Sequence, residues 1–135
     1  YTTFDRLCVK LVEPVAKCFP DAVLRKSMAR LISKTEYSYN VMMNMLQPLS
    51  KADICRQMGI ACTVFLKENR NAQFNFPVLI LLGEHDKTGK VDQFSRKWAK
   101  KEGYPLHIIK NASHFSSGDN PDDVNKEIDS FIRGL

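Results

Sequence analysis

Two side chains near the C-terminal end have residue types and a spacing that suit acid–base chemistry. Asp86 closely follows the apolar run 77–82, and His114 comes 28 positions later in the segment Asn-Ala-Ser-His-Phe. A carboxylate on one ring nitrogen of a histidine fixes its tautomer, so the other nitrogen can take a proton from an attacking nucleophile. Asp86 is therefore predicted to be the orienting acid, and His114 the general base.

The residues around this pair have the pattern of alternating strands and helices. The unbroken apolar run before Asp86 is typical of a parallel strand covered on both faces. The predicted elements form a βαβα unit in chain order: a strand over 77–83, a helix over 90–102, a strand over 105–110 and a helix over 121–134. Because chemistry in open α/β sheets lies beyond the carboxyl ends of the strands, Asp86 and His114 are expected on neighbouring loops.

The pattern Pro-Val-Leu-Ile-x-x-Gly-x-x-Asp, the histidine segment after it and Gly-Asp-Asn-Pro-x-x-Val-Asn at 118–125 resemble the C-terminal third of an α/β-hydrolase. In that family the acid and the histidine follow the last two strands in this order. The resemblance is specific from about residue 76 onward and loose before it. It implies the α/β fold class, with a helical cap segment over 1–49 and the C-terminal part of the hydrolase core over 50–135.

The family's nucleophile elbow, Gly-x-Ser-x-Gly, does not occur in this sequence, and its oxyanion-hole loop is absent too. The resemblance therefore implies the C-terminal part of a hydrolase that acts on a small ester-like or related substrate. The nucleophile is expected from a missing N-terminal half. Serine is favoured, with Asp or Cys left open, and this part alone is expected to be inactive. The alternative is a non-catalytic binding or assembly module that retains the scaffold.

Helical patterns occupy the chain before the acid strand, at about 4–18, 22–33, 35–47 and 50–66. Pro14 should kink or split the first of these helices. Thr35 and Ser50 are the predicted N-cap residues of the third and fourth, and Asn120 is that of the last helix of the chain.

In the resemblance, the cap helices cover the substrate pocket, which makes Tyr37, Met42 and Met45 candidate substrate-binding residues. The alternative is that these side chains belong to the core, since methionine fills irregular gaps in any helix bundle.

Charge and motifs argue against several other functions. The net charge is +5, but no recognition motif accompanies the scattered basic residues, so no nucleic-acid partner is expected. No apolar run reaches the length of a membrane span, and a cytoplasmic protein is expected. His85, Asp86 and His114 are legal zinc ligands, but their spacing lacks a zinc-enzyme signature, so no metal or other cofactor is predicted.

The four cysteines do not form a metal-binding or redox motif. Cys55 and Cys62 lie about two turns apart on one predicted helix, too far for a disulfide, and are interpreted as small buried apolar residues in a reducing compartment. A bridge from Cys8 or Cys18 to another helix stays open.

The predicted strand over 77–83 has only one neighbour within this sequence. Two parallel strands leave an apolar edge, and such an edge recruits another strand. The expected partners are therefore the missing N-terminal half or a second copy of the chain, together with a small-molecule substrate.

Overall fold

The computed structural model describes residues 2–68 and 74–135. Helices make up 66% of it and strands 6%. The prediction of the α/β class, as the C-terminal portion of an α/β-hydrolase, is therefore wrong: the described chain is mostly helical and has one two-stranded parallel sheet. The prediction took the class of the chain from its βαβα unit, although four helices precede that unit and each of its strands is only 4 residues long.

The elements of the described ranges follow the predicted order. They are α1 Thr3–Cys18, α2 Asp21–Ile32, α3 Glu36–Leu46, α4 Lys51–Glu68, β1 Ile80–Gly83, α5 Val91–Glu102, β2 Leu106–Ile109, α6 Ser116–Asp119 and α7 Pro121–Arg133. The short helix α6 is the element that the sequence patterns missed. The first strand covers only the second half of its predicted range, because pairing with β2 begins at Ile80.

Local side-chain bonds explain where most helices begin. The predicted caps Thr35, Ser50 and Asn120 each accept the backbone N–H three positions on, at 3.1–3.2 Å. Thr2 caps α1 in a reciprocal arrangement with Asp5. Pro14 lies inside α1, which continues through it, so the expected kink or split does not divide this helix.

The two strands pair in parallel, with Ile80 opposite Leu106 and Gly83 opposite Ile109. The strands therefore end at the same edge of the sheet. α5 is the crossover helix between them, and Gly103 ends it in the left-handed conformation at φ +72°. Residues from β2, the following loop and α7 form a small core: Ile109, Ala112 and Val124, with Leu81 packed against them.

The chain groups into two compact units. One contains the described residues of Tyr1–Ser27 and Asn44–Ala72, where α1 packs against α4. The other contains those of Met28–Met43 and Gln73–Leu135, and it holds the sheet. The predicted division into a cap over 1–49 and a core portion over 50–135 concerns a complete enzyme and stays a prediction.

None of the helices within the described ranges combines the length and the apolar character that crossing a bilayer requires.

All four thiols are free: Cys8 and Cys18 are exposed, Cys55 is buried and Cys62 is half-buried. The bridge from Cys8 or Cys18 that the sequence left open is therefore not formed.

Candidate active site

A tight turn after β1 positions the acid. The Asp86 N–H donates to the Gly83 carbonyl at 3.1 Å, which reverses the chain as it leaves the strand. The Asp86 side chain is only 3% exposed. Its Oδ1 accepts the Thr88 N–H at 2.8 Å, so one carboxylate oxygen is held by the loop's own backbone.

A second turn, after β2, positions the histidine. Asn111 adopts φ +53°, a left-handed conformation that asparagine tolerates better than most residues. The chain then passes through Ala112 to His114. There His114 Nδ1 lies 2.8 Å from Asp86 Oδ2, and the imidazole is 42% exposed. The structure thus brings together the two residues that the sequence singled out.

Backbone bonds hold the two turns against each other. His85 N–H donates to the Ala112 carbonyl at 2.8 Å, and Glu84 N–H donates to the Ile109 carbonyl at 3.0 Å. Glu84 Oε2 also accepts the Asn111 N–H at 2.9 Å. Glu84 is thus bonded to the backbone of the histidine turn, and Asp86 is the acid that bonds the imidazole.

Gly83 allows the closest approach between the two turns. A Cβ atom built at this position would lie 2.0 Å from the Ser113 carbonyl oxygen, far inside any allowed contact. A glycine at the end of β1 is therefore required for the histidine segment to lie beside the acid segment.

The bonding pattern fixes the role that each nitrogen of His114 can take. A carboxylate only accepts hydrogen bonds, so in this contact Nδ1 carries the hydrogen and donates the hydrogen bond to Asp86. Nε2 is then the ring nitrogen that can accept a proton. Because the ring is partly exposed while its acid is buried, the pair has the arrangement of an oriented general base.

Asp119 is a site residue that the sequence patterns did not identify as one. Its Oδ1 accepts the backbone N–H groups of Lys34 and Thr35, each at 2.8 Å. The Ser38 hydroxyl donates to the same oxygen. Its Oδ2 accepts the Ser113 N–H at 2.8 Å, directly next to His114. One carboxylate thus joins the histidine loop to the turn between α2 and α3.

The environment of Asp119 favours its ionised form. Burial raises the pKa of this carboxyl, but the hydrogen bonds from the Ser38 hydroxyl and from the three backbone N–H donors outweigh burial, so the pKa lies below its ordinary value. The signal in the sequence is slight: an acid between Gly118 and the cap of α7 also suits a plain loop.

The predicted substrate-binding residues are divided between the two units. Tyr37 is exposed and Met42 half-buried, and both belong to the unit that contains His114. Met45 is exposed and belongs to the other unit. A surface cavity of about 420 Å³ lies in that other unit, and it is lined by residues of α1 and α4 rather than by these three. A role in substrate binding stays a prediction for each.

The remaining candidate chemistry near the pair concerns metal ligands. His85 Nε2 lies 3.7 Å from Glu84 Oε2 and makes no bond to Asp86 in this geometry. Within 2–68 and 74–135, no three or more His, Cys, Asp or Glu side chains are arranged to hold a metal ion.

Comparisons with protein-family models, with curated proteins and with solved structures found no match for this chain. The relation to the α/β-hydrolases therefore stays a prediction from the sequence.

Proposed function

We propose that Asp86 and His114 are the orienting acid and the general base of a hydrolase that acts on a small ester-like substrate. The observation that supports this most is the 2.8 Å bond from His114 Nδ1 to a buried carboxylate, at the end of two adjacent parallel strands. The nucleophile, with serine favoured over Asp or Cys, comes from polypeptide N-terminal to this chain. The reaction needs no cofactor.

The chemistry follows from the proton on Nδ1. As the nucleophile's oxygen forms a bond to the ester carbonyl carbon, His114 Nε2 takes its proton, and Asp86 stabilises the imidazolium. The imidazolium then gives that proton to the departing alcohol as the ester C–O bond breaks. Water completes hydrolysis by the same two transfers. General base catalysis of this kind contributes about 10²–10⁴-fold to the rate.

The serines beside His114 differ in position, and the nearest one has its hydroxyl bonded elsewhere. Ser113 is buried, and its hydroxyl donates to the Leu31 carbonyl at 3.3 Å. Ser116 and Ser117 belong to α6, after the histidine. This supports a nucleophile from another part of the protein rather than from this loop.

The test uses the intact protein from its native source, whose mass is measured first. Its hydrolysis of a panel of p-nitrophenyl esters is then compared with that of a His114→Ala variant, which should lose about 10²–10⁴-fold in kcat/KM. His107→Ala is the matched control, because His107 Nδ1 also lies close to a carboxylate oxygen, Glu127 Oε2, at 2.9 Å. Unchanged kcat/KM in His114→Ala would refute the proposal.

A binding or assembly module is the second candidate function. Within the described residues β1 pairs with β2 alone, so one side of β1 keeps its backbone groups for another strand. The favoured partner is a second copy or the N-terminal half of the protein. Light scattering at high protein concentration should show a dimer of this chain, and a monomer would contradict strand-mediated assembly.

We place the protein in the cytoplasm as part of the same proposal. Support comes from the four free thiols, since exposed cysteines such as Cys8 and Cys18 persist unbridged in a reducing compartment.

A further inference from the structure

The loop that carries His114 is attached to α2 on both sides of the histidine. Phe115 N–H donates to the Ile32 carbonyl at 2.8 Å, and the Ser113 hydroxyl donates to the Leu31 carbonyl at 3.3 Å. The last carbonyls of a helix lack partners within the helix. The neighbours of His114 thus cap the end of α2, and this contact fixes the loop from outside the sheet.

Asp119 ties the same two segments together a second time. One oxygen holds the Ser113 N–H, and the other receives donors from the turn after α2 and from Ser38 on α3. The Ser113 N–H lies one residue before His114 in the chain. A shift of this amide would therefore carry the imidazole away from Asp86.

We propose that Asp119 is a positioning residue for His114: by anchoring the Ser113 amide to the α2–α3 turn, it keeps Nδ1 within bonding distance of Asp86. The consequence for catalysis rests on the proposed function. The positional effect does not, because it can be measured on the imidazole itself.

The chemistry of the site requires a carboxylate at this position. Both oxygens of Asp119 face donors, and an ionised carboxylate has about four acceptor positions and no hydrogen of its own. An asparagine would turn its NH₂ toward either the Ser113 amide or the α2–α3 turn. In either orientation the NH₂ group faces other N–H donors, so the hydrogen bonds on that side of the side chain are lost.

The experiment compares Asp119→Asn with Asp122→Asn by NMR of this chain. Asp122 is an exposed acid of α7 and gives the same change of charge nearby. The signals to follow are the Nδ1–H proton of His114 and, as an internal reference, the carbon-bound ring protons of His107. In Asp119→Asn, exchange of the Ser113 amide with water should accelerate about 10- to 100-fold, as for loss of a hydrogen bond to a charged group.

The decisive signal is the His114 Nδ1–H. It should broaden or vanish in Asp119→Asn while the His107 signal stays unchanged, and Asp122→Asn should resemble the unmodified chain. A purely structural role would leave the His114 signal in place while the Ser113 amide loses protection, and that result would overturn the proposal.

A milder variant covers the case in which Asp119→Asn does not fold. Ser38→Ala removes one donor to Asp119 and keeps its charge, so the His114 Nδ1–H should exchange about two- to tenfold faster. An unchanged exchange rate in folded Ser38→Ala would overturn the proposal in that case. If His114→Ala keeps full turnover in the intact protein but Asp119→Asn disturbs the His114 signal, the proposed function fails and the positional inference stands.

Discussion

Two histidines in the sheet-containing unit have Nδ1 close to a carboxylate oxygen, but their surroundings differ. His114 lies 2.8 Å from Asp86 and His107 lies 2.9 Å from Glu127. The imidazoles are similarly exposed, at 42% and 47%. The acids are not: Asp86 is 3% exposed and Glu127 is 20% exposed.

The two pairs have nearly the same distance but differ in the burial of the acid. A short histidine–carboxylate distance is therefore not enough to propose a catalytic pair. His107 lies within β2, and Glu127 reaches it from α7. Exposed pairs of this kind add little free energy, because water competes for both partners. Asp86 instead lies in a turn whose backbone is bonded to the histidine turn, so both partners are held by structure beyond their own contact.

The largest difference between the pairs is expected in turnover. In the intact protein, Asp86→Asn should lower kcat by about 10⁴-fold, as the equivalent change does in a serine protease, because the asparagine favours the wrong tautomer of His114. Glu127→Gln should leave kcat within about twofold, since a surface pair contributes little. The measurement is steady-state hydrolysis, and equal losses in the two variants would erase the distinction.

The next effect concerns the contact between the two turns around the Asp86–His114 pair. Gly83→Ala should lower the free energy of unfolding by about 3 kcal/mol, because its Cβ meets the Ser113 backbone and not a side chain that could move. The control is Gly134→Ala, whose Cβ meets its nearest atoms at 3.5 Å, an ordinary contact. Urea unfolding measures both, and similar midpoints would contradict the close approach.

A smaller effect should depend on pH, and it concerns Asp119, whose carboxylate holds the residue before His114. The pKa of Asp119 is lower in the folded chain than its ordinary value, so its stabilising contribution is complete above the unfolded pKa of about 3.9. That contribution is lost as the pH falls through the folded pKa. The stability gap between the unmodified chain and Asp119→Asn should therefore be widest near neutral pH and narrow below about pH 4. Urea unfolding across this range measures it, and a constant gap would contradict it.

The smallest effect belongs to the surface pair. Glu127→Gln should change the free energy of unfolding by no more than about 1 kcal/mol, and less at high salt. Thermal or urea unfolding at two salt concentrations provides the check. A loss of several kcal/mol would show that the His107–Glu127 pair is as well supported as the Asp86–His114 pair.

The sequence predicted what depends on short stretches of chain. Strand ends, the crossover helix and parallel pairing were enough to place Asp86 and His114 on adjacent turns, and the structure has them in contact. The caps Thr35, Ser50 and Asn120 could be predicted because each side chain bonds a backbone N–H only three residues further along the chain.

The rest depended on contacts between distant residues. The fold class was predicted wrongly because it depends on how many residues pair in strands. The apolar run at 77–83 pairs over only 4 residues. The role of Asp119 was not predicted, because its partners Lys34 and Thr35 lie 85 and 84 positions earlier in the chain. No local pattern marks such a bond.

The attachment of the histidine loop to α2 has a consequence for the order of folding. The contacts that close it join residues 81–85 positions apart, so the entropy of closing a long loop is lost before they contribute stability. Helices α1 to α4 can form from local contacts while the chain is still being synthesised. These contacts cannot be completed until α6, which carries Asp119, has left the ribosome. The candidate active site should therefore be the last part of its unit to become protected from exchange during refolding.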